Sequence, residues 1–221
     1  MPHGGRFAIL LLMLALPAML VLLALPATTG QAEPGCSYST WEWDTIQRKS
    51  VGHRTVRKAR AELTPEEVHA PTGCTVCSED QVTVRVAGAP PVRVCHLFAD
   101  EVRGVLEFTM ASGFPLHELV GYRVGRTKGP PDAKGLRTRF SNHSFGIAVD
   151  INPALNGLYN NCVRFGPECR LSRGGPWRPG VPGTVTRDSV PYLTFTAAGW
   201  KWAGELRGRQ KDFMHFSLSG D

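Results

Sequence analysis

The chain has 221 residues and a formal net charge of +6, from 25 lysines and arginines against 19 aspartates and glutamates, with six cysteines. The basic excess is small and scattered, and its densest stretch, Arg54 to Arg60, reads as a solvated face. No nucleic-acid motif is present, so nucleic acid is excluded as a partner, and such a charge favours encounter with an anionic polymer.

Arg6, an apolar stretch from Phe7 to Leu25 interrupted by Pro17, and small residues up to Gly30-Gln31-Ala32 have the layout of a signal peptide. Cleavage is expected before Glu33, with Ala27 as a competing site. The same stretch is long enough to span a bilayer if left uncleaved, so a membrane is a partner only in that case. Either way the remainder lies outside the cytoplasm, secreted or in the cell envelope. Without residues 1–32 the charge becomes +5, because Arg6 is the leader's one charged side chain.

Residues 33–60 lack sustained periodicity and read as an irregular N-terminal arm, with Trp41 and Trp43 packing it onto the core. Thr64-Pro65-Glu66-Glu67 is a helix-start signal cut short by Pro71 and Gly73, which predicts a turn or two. Val82, Val84 and Val86 alternate with polar residues, and Val92-Arg93-Val94 resumes the pattern after Gly88-Ala89-Pro90-Pro91, as in a β-hairpin. From His96 to Ser112 the apolar positions Leu97, Phe98, Val102, Val105, Leu106 and Met110 keep a near-helical spacing, stopped by Gly113 and Pro115. A strand over Leu116–Arg123 and a mobile loop over Gly125–Gly135 follow. Phe145, Ile147, Val149 and Ile151 alternate with Gly146, Ala148 and Asp150, giving a strand with one packed face and one face of small residues and a carboxylate. Residues 152–191 read as a long irregular insertion of the kind that forms substrate-binding loops. Thr196 is expected to cap a helix over Ala197–Leu206, and Phe213–Leu218 alternates as a final strand.

These elements give an α+β fold class, a small antiparallel sheet with helices packed on it. The domains read as leader 1–32, an N-terminal extension 33–94 with a short helix and hairpin, and a catalytic domain 95–221. The even set of six cysteines in an exported chain predicts disulfides. Cys162 and Cys169 can staple a local loop, leaving Cys36, Cys74, Cys77 and Cys95 to pair among themselves. Cys74-Thr75-Val76-Cys77 also admits a redox or zinc-knuckle reading. Neither a second CxxC nor a thioredoxin-like setting supports it.

His143, Asp150 and His215 are the candidate metal ligands. Two imidazoles and a carboxylate can hold one tetrahedral zinc ion with a position left for water, the arrangement of a hydrolytic site. His143 sits on a turn before the strand that carries Asp150, and His215 would come from the neighbouring final strand. Asp212 is placed to act as general base, and Arg123 to reach an oxyanion or a substrate carboxylate. Glycine and alanine between His143 and Asp150 let the backbone approach a ligand closely. The histidines at 53, 69, 96 and 117 lack such surroundings.

Ser141, His143, Gly146, Ala148 and Asp150 form SxHxxGxAxD, and Asp212, Met214, His215 and Phe216 form DxMHF. With Gly121-Tyr122-Arg123 ahead of them, over about residues 95–218, these motifs resemble the zinc D-Ala-D-Ala carboxypeptidase family (VanY-like), which includes L-alanyl-D-glutamate endopeptidases. The resemblance implies a hedgehog-like α+β fold, zinc held by His143, Asp150 and His215, and Asp212 as base and then proton donor to the leaving amine. It also implies that Arg123 stabilises the tetrahedral intermediate and that Ser141 helps bind substrate. Some carboxypeptidase members have glutamate where this chain has Asp212, which leaves the cleaved bond open. The expected activity is hydrolysis of a peptide bond in peptidoglycan stem peptides by a secreted zinc peptidase, as carboxypeptidase or as L-Ala-D-Glu-type endopeptidase. A non-catalytic, zinc-containing wall-binding module is the alternative from another class. The sequence sets no oligomeric state.

Overall fold

In the computed structural model, which describes residues 35–220, the chain opens with a long antiparallel hairpin of β1 (Gly35–Asp44) and β2 (Lys49–Ala59). The expected leader and its cleavage site lie outside the described residues. The hairpin replaces the irregular arm expected over residues 33–60. Its turn carries no glycine or asparagine; Arg48 takes the left-handed conformation instead, at φ 54°. A bulge between Thr40 and Glu42 also breaks the alternation a strand would otherwise display. Of the basic stretch, Arg54 pairs with Glu42, Lys58 with Glu67 and Arg60 with Asp80, so most of it is engaged in ion pairs rather than simply solvated.

The short turn expected at Thr64 is a 3₁₀ turn, Pro65–Glu67, and the hairpin expected from the valine alternation is β3 (Gln81–Val84) with β4 (Val92–Cys95). A 3₁₀ turn at His96–Phe98 leads into α1 (Ala99–Ala111), which buries Val102, Val105, Leu106 and Thr109 on one stripe. The strand expected over Leu116–Arg123 shrinks to β5 (Leu119–Val120), because Gly121 leaves the sheet to lie against β4, where a Cβ would be 2.1 Å from the Arg93 carbonyl. The expected mobile loop is instead a hairpin of β6 (Arg126–Pro131) and β7 (Arg137–Phe140). The Asp132 carboxylate accepts the Lys134 and Leu136 N–H groups at 2.9 Å to make its turn, and β6 pairs in parallel with β1.

Phe145 belongs to a 3₁₀ turn, Asn142–Phe145, so the expected strand begins later, at β8 (Ala148–Ile151), and is buried on both faces. Residues 152–191 are less irregular than their composition suggests. They contain β9 (Leu158–Asn160) and β10 (Arg170–Arg173), and end in α2 (Val190–Ala197). This helix displaces the one expected after Thr196: Thr196 bonds back to the Tyr192 carbonyl, and Gly199 at φ 88° closes the segment. β11 (Lys201–Trp202), β12 (Gln210–Asp212) and β13 (His215–Ser217) complete the chain.

The strands form sheets ordered β2-β1-β6-β7, β10-β9-β12, β11-β13-β8-β5 and β3-β4. The fold is thus α+β, with few helices and several small sheets rather than the single small sheet expected. The main core joins α1, α2 and the β8–β13 pair, with Phe195 stacked on Phe216 at 4.8 Å and beside Trp200 at 5.2 Å. A second core gathers Tyr38, Val76, Phe145 and Ile147 around disulfides Cys36–Cys77 and Cys74–Cys95. Cys162–Cys169 is the expected local staple. Cys74 and Cys77 each bond to a distant partner, which removes the redox and zinc-knuckle readings of that CxxC.

Glu67 locks the hairpin to the rest of this second core. Its buried carboxylate accepts from the Tyr38 hydroxyl, from Lys58 at 2.6 Å, and from the Thr64 N–H and hydroxyl at 2.8 Å. Burial pushes its pKa up, but these donors outweigh burial and bring it from 4.5 to about 2. The resulting stability is fully present above pH 4.5 and is lost as pH falls toward about 2. Glu67→Gln is expected to remove roughly 2–3 kcal/mol at neutral pH and to flatten the acid dependence of denaturation in that window. Identical acid profiles for the two proteins in chemical unfolding would refute this role.

Candidate metal centre

The turn at 142–145 aims His143. The Ser144 N–H donates to the Ser141 carbonyl at 2.9 Å, and Gly146, at φ 67°, donates to the His143 carbonyl at 3.1 Å. A Cβ at Gly146 would lie 2.0 Å from Gln81 Oε1 and 2.4 Å from the Cys95 nitrogen. The close approach that this glycine permits is therefore to β4, not to a ligand as expected. The His143 ring then has one fixed orientation. Its Nδ1 donates to the Gly121 carbonyl at 2.8 Å, which leaves Nε2 as a bare lone pair pointing inward.

β8 and β13 bring the other two donors. They pair with Asp150 directly opposite His215, so the two side chains rise side by side from one sheet. His143 Nε2 lies 3.0 Å from Asp150 Oδ1 and 3.2 Å from His215 Nδ1, and His215 Nδ1 lies 2.9 Å from Asp150 Oδ1. All three residues are buried.

This triangle has the chemistry of a cation site. With Nδ1 committed to a carbonyl, His143 Nε2 and Asp150 Oδ1 are two acceptors facing each other. Burial, the largest influence on His143, brings its pKa down to about 4, so it holds no second proton at neutral pH. Burial pushes Asp150 up, but its two imidazole neighbours, His143 and then His215, outweigh burial and hold the carboxyl well below the usual range. A proton on His215 Nδ1 leaves the His143–Asp150 contact uncompensated, whereas one metal ion satisfies all three donors. Among the described residues, Cys36, Cys77 and Glu79 are also close enough to share an ion, but both sulfurs are committed to one disulfide.

The remaining expected site residues surround the triangle. The Arg123 guanidinium donates to Asp150 Oδ2 at 3.3 Å, and its backbone N–H donates to the His143 carbonyl at 3.1 Å. Asp212, at the end of β12, has Oδ1 buried without a hydrogen-bond partner, as are Arg123 Nε and His215 Nε2. Burial and then the Asp150 charge push Asp212 up to about 7, against the lowering influence of His215, Arg173 and Arg123. Ser141 is buried, with its hydroxyl 3.4 Å from that of Ser144.

His143, His215, Asp212, Arg123 and Ser141 all line one groove of about 600 Å³. Its walls include residues that motif reading missed: Trp41 and Trp43 from β1, Arg137 from β7, and Arg173 from β10. The tryptophans were expected to pack on the core; both are half-buried and face the groove. Their i, i+2 spacing was the available signal, because it places both side chains on one side of a strand. A larger cavity, about 880 Å³, is lined by Lys211 on the alternate face of β12 and contains none of the donor residues.

Residues 134–218 match the family model of D-alanyl-D-alanine carboxypeptidase. The match bears out the resemblance carried by the two motifs and supports a hydrolase of the peptidase type acting on peptidoglycan. It includes the donor triangle and Asp212 but neither Arg123 nor the hairpin tryptophans. No curated protein and no solved structure matches the chain at a significant level. The disulfides fit an oxidising, extracytoplasmic compartment, and among the described residues no helix is long and apolar enough to cross a membrane.

Asp212 makes the metal-free site a local source of instability. Its folded pKa is raised from 3.8 to about 7, so the penalty is absent below 3.8, grows between these values and is complete above about 7. Asp212→Asn should therefore stabilise the chelated protein at pH 8 and have little effect at pH 4. Thermal unfolding at the two pH values tests this, and equal shifts at both would contradict it.

Proposed function

We propose that the protein is a secreted zinc peptidase that hydrolyses an amide bond in peptidoglycan stem peptides, in a hedgehog-like fold. The observation that carries this reading is the His143–Asp150–His215 triangle, with Asp212 beside it in a groove, inside the segment that matches the peptidase family. In this reading residues 1–32 are the leader, 95–221 the catalytic domain, and 33–94 an extension that walls its groove.

His143, Asp150 and His215 hold the zinc. Their 2.9–3.2 Å separations are a few tenths of an ångström below the roughly 3.3 Å edge of a tetrahedral site, a small adjustment for side chains. When bound there, zinc supplies Lewis-acid polarisation of the scissile carbonyl and lowers the pKa of the attacking water.

Asp212 would act as general base toward the attacking water and then as proton donor to the leaving amine. A carboxyl beside the donor triangle can serve in turn as acceptor and donor of that proton. Asp212 Oδ1 makes no hydrogen bond within the protein, so accepting this proton breaks no existing contact. Arg123 supplies positive charge where the oxyanion develops. Its Nε–H has no partner, while Nη2 on Asp150 holds the guanidinium in place. Ser141, which lines the groove, orients the substrate backbone.

Two variants separate ligand from base. Asp212→Ala is expected to lower turnover by at least about 10²-fold with one zinc still bound per chain. His215→Ala should lose both turnover and zinc. Mass spectrometry of muropeptides incubated with the mature protein, with and without chelator, reads the reaction directly. Loss of one terminal alanine defines a carboxypeptidase, and cleavage within the stem defines an endopeptidase. No mass change with zinc bound, or near-normal turnover by Asp212→Ala, would overturn the reading.

A further inference from the structure

Four cationic side chains line the groove: Arg123, Lys128, Arg137 and Arg173. Against them stand Asp212 and, at the floor, Asp150, which is already engaged by His143, His215 and Arg123. Arg137 has a role within the protein, donating to the Gly129 carbonyl across its hairpin. Arg173 is exposed, its backbone belongs to the β9–β10 ladder, and its side chain takes no such part in holding the fold.

The backbone beneath Arg173 is tightly fixed. Gly174 sits at φ 73° with its missing Cβ 2.4 Å from the Pro153 carbonyl, and a Cβ on Gly157 would lie 2.9 Å from the Arg173 carbonyl. Two glycines thus hold β10 close against its neighbours and fix the backbone from which Arg173 lines the groove. From that position its charge is felt by Asp212 and opposes that of Arg123.

The opposite wall is also rigid. The Trp41 ring lies on the backbone of Gly125, where a Cβ would be 2.7 Å from it, and stacks with His53 at 6.4 Å. Trp43 follows two residues later, paired across the hairpin with Ser50, which also lines the groove. A chain lying in this groove therefore meets Trp41 and Trp43 from the hairpin and the Arg173 guanidinium from β10.

We infer that Arg173 is a specificity-determining residue that binds a second carboxylate of the substrate, so that the groove selects anionic peptides lying between the Trp41/Trp43 hairpin and the β9–β10–β12 sheet. This rests on the peptidase reading above. A planar guanidinium recognises a carboxylate through two parallel N–H donors, and the amide isostere of that carboxylate offers only one acceptor oxygen.

The test uses synthetic peptides built around the bond identified with muropeptides, or around D-Ala-D-Ala if none is identified. One flanking position at a time carries glutamate or glutamine. At one position the wild type should prefer glutamate by roughly tenfold in kcat/KM, mainly through KM. Arg173→Gln should abolish that preference and leave the glutamine peptide within about twofold, and Arg173→Lys should keep part of it. No preference at any position, or a preference that survives Arg173→Gln, would overturn the inference and leave the peptidase reading standing. If the wild type cleaves no peptide, the peptidase reading fails instead, and binding to Asp212→Ala, followed by tryptophan fluorescence, decides the inference separately. A glutamate-over-glutamine affinity difference lost on adding Arg173→Gln supports it, and equal affinities reject it.

Discussion

A carboxylate buried as deeply as Asp150 is tolerable only where donors or cations converge on it, because removing an isolated charge from water costs far more than a fold of this size can offset. Its partners come from three other segments: the turn that carries His143, the strand that carries His215, and the chain around Arg123. The register of β8 with β13 fixes one of these contacts, and the Gly121 carbonyl fixes the ring of another. Arg123 contributes twice, by guanidinium to Asp150 and by backbone to His143. Withdrawing Arg123 or His215 would leave the buried charge short of a donor, while the His143 lone pair that faces it is compensated only by a cation shared among the three.

The same centre keeps groups that a purely structural core would pair or exclude. Arg123 Nε, Asp212 Oδ1 and His215 Nε2 are buried without partners, and Asp212 stands close enough to Asp150 for their charges to conflict. The surrounding structure offsets this. β8 and β13 are covered by the Phe195, Trp200 and Phe216 cluster, and the disulfides of the second core each limit the unfolded chain by roughly 3 kcal/mol. A site strained by unpaired polar groups is thereby held on strands that cannot easily yield.

That His143, Asp150 and His215 come together, with Asp212 beside them, was legible in the sequence because they lie in two short runs whose spacing matches local geometry, a turn closed by glycine and the strands either side of a short reversal. The α1 stripe and the β3–β4 hairpin were legible for the same local reason. The walls of the groove were not. Trp41 and Trp43 reach the site through a hairpin whose turn residue, Arg48, gives no compositional signal, and through a parallel contact of β1 with β6 across more than eighty residues. Gly125–Gly135 has the composition of a loop; its order comes from pairing with a neighbouring strand and from one aspartate turn. Thr196 carried a capping signature but spends its hydroxyl on the preceding helical turn. In each case a long-range pairing or a back-bonded side chain overrode a local preference.

The donor triangle and the hairpin wall of the groove are therefore carried by different parts of the chain, and the two are held in register with each other. The second core provides that link. Cys36 on β1 is joined to Cys77, and Cys74, three residues before it, is joined to Cys95 at the end of β4. The Cys95 N–H donates to the Gly146 carbonyl at 2.9 Å, and Gly146 closes the turn that aims His143. A continuous path of two disulfides and one backbone hydrogen bond thus runs from the strand bearing Trp41 and Trp43 to the imidazole at the metal centre. The absence of a side chain at Gly146 is what allows β4 to come close enough to complete it. The glycine that reads in sequence as part of a ligand motif acts in the folded protein as the joint between the groove wall and the His143–Asp150–His215 triangle.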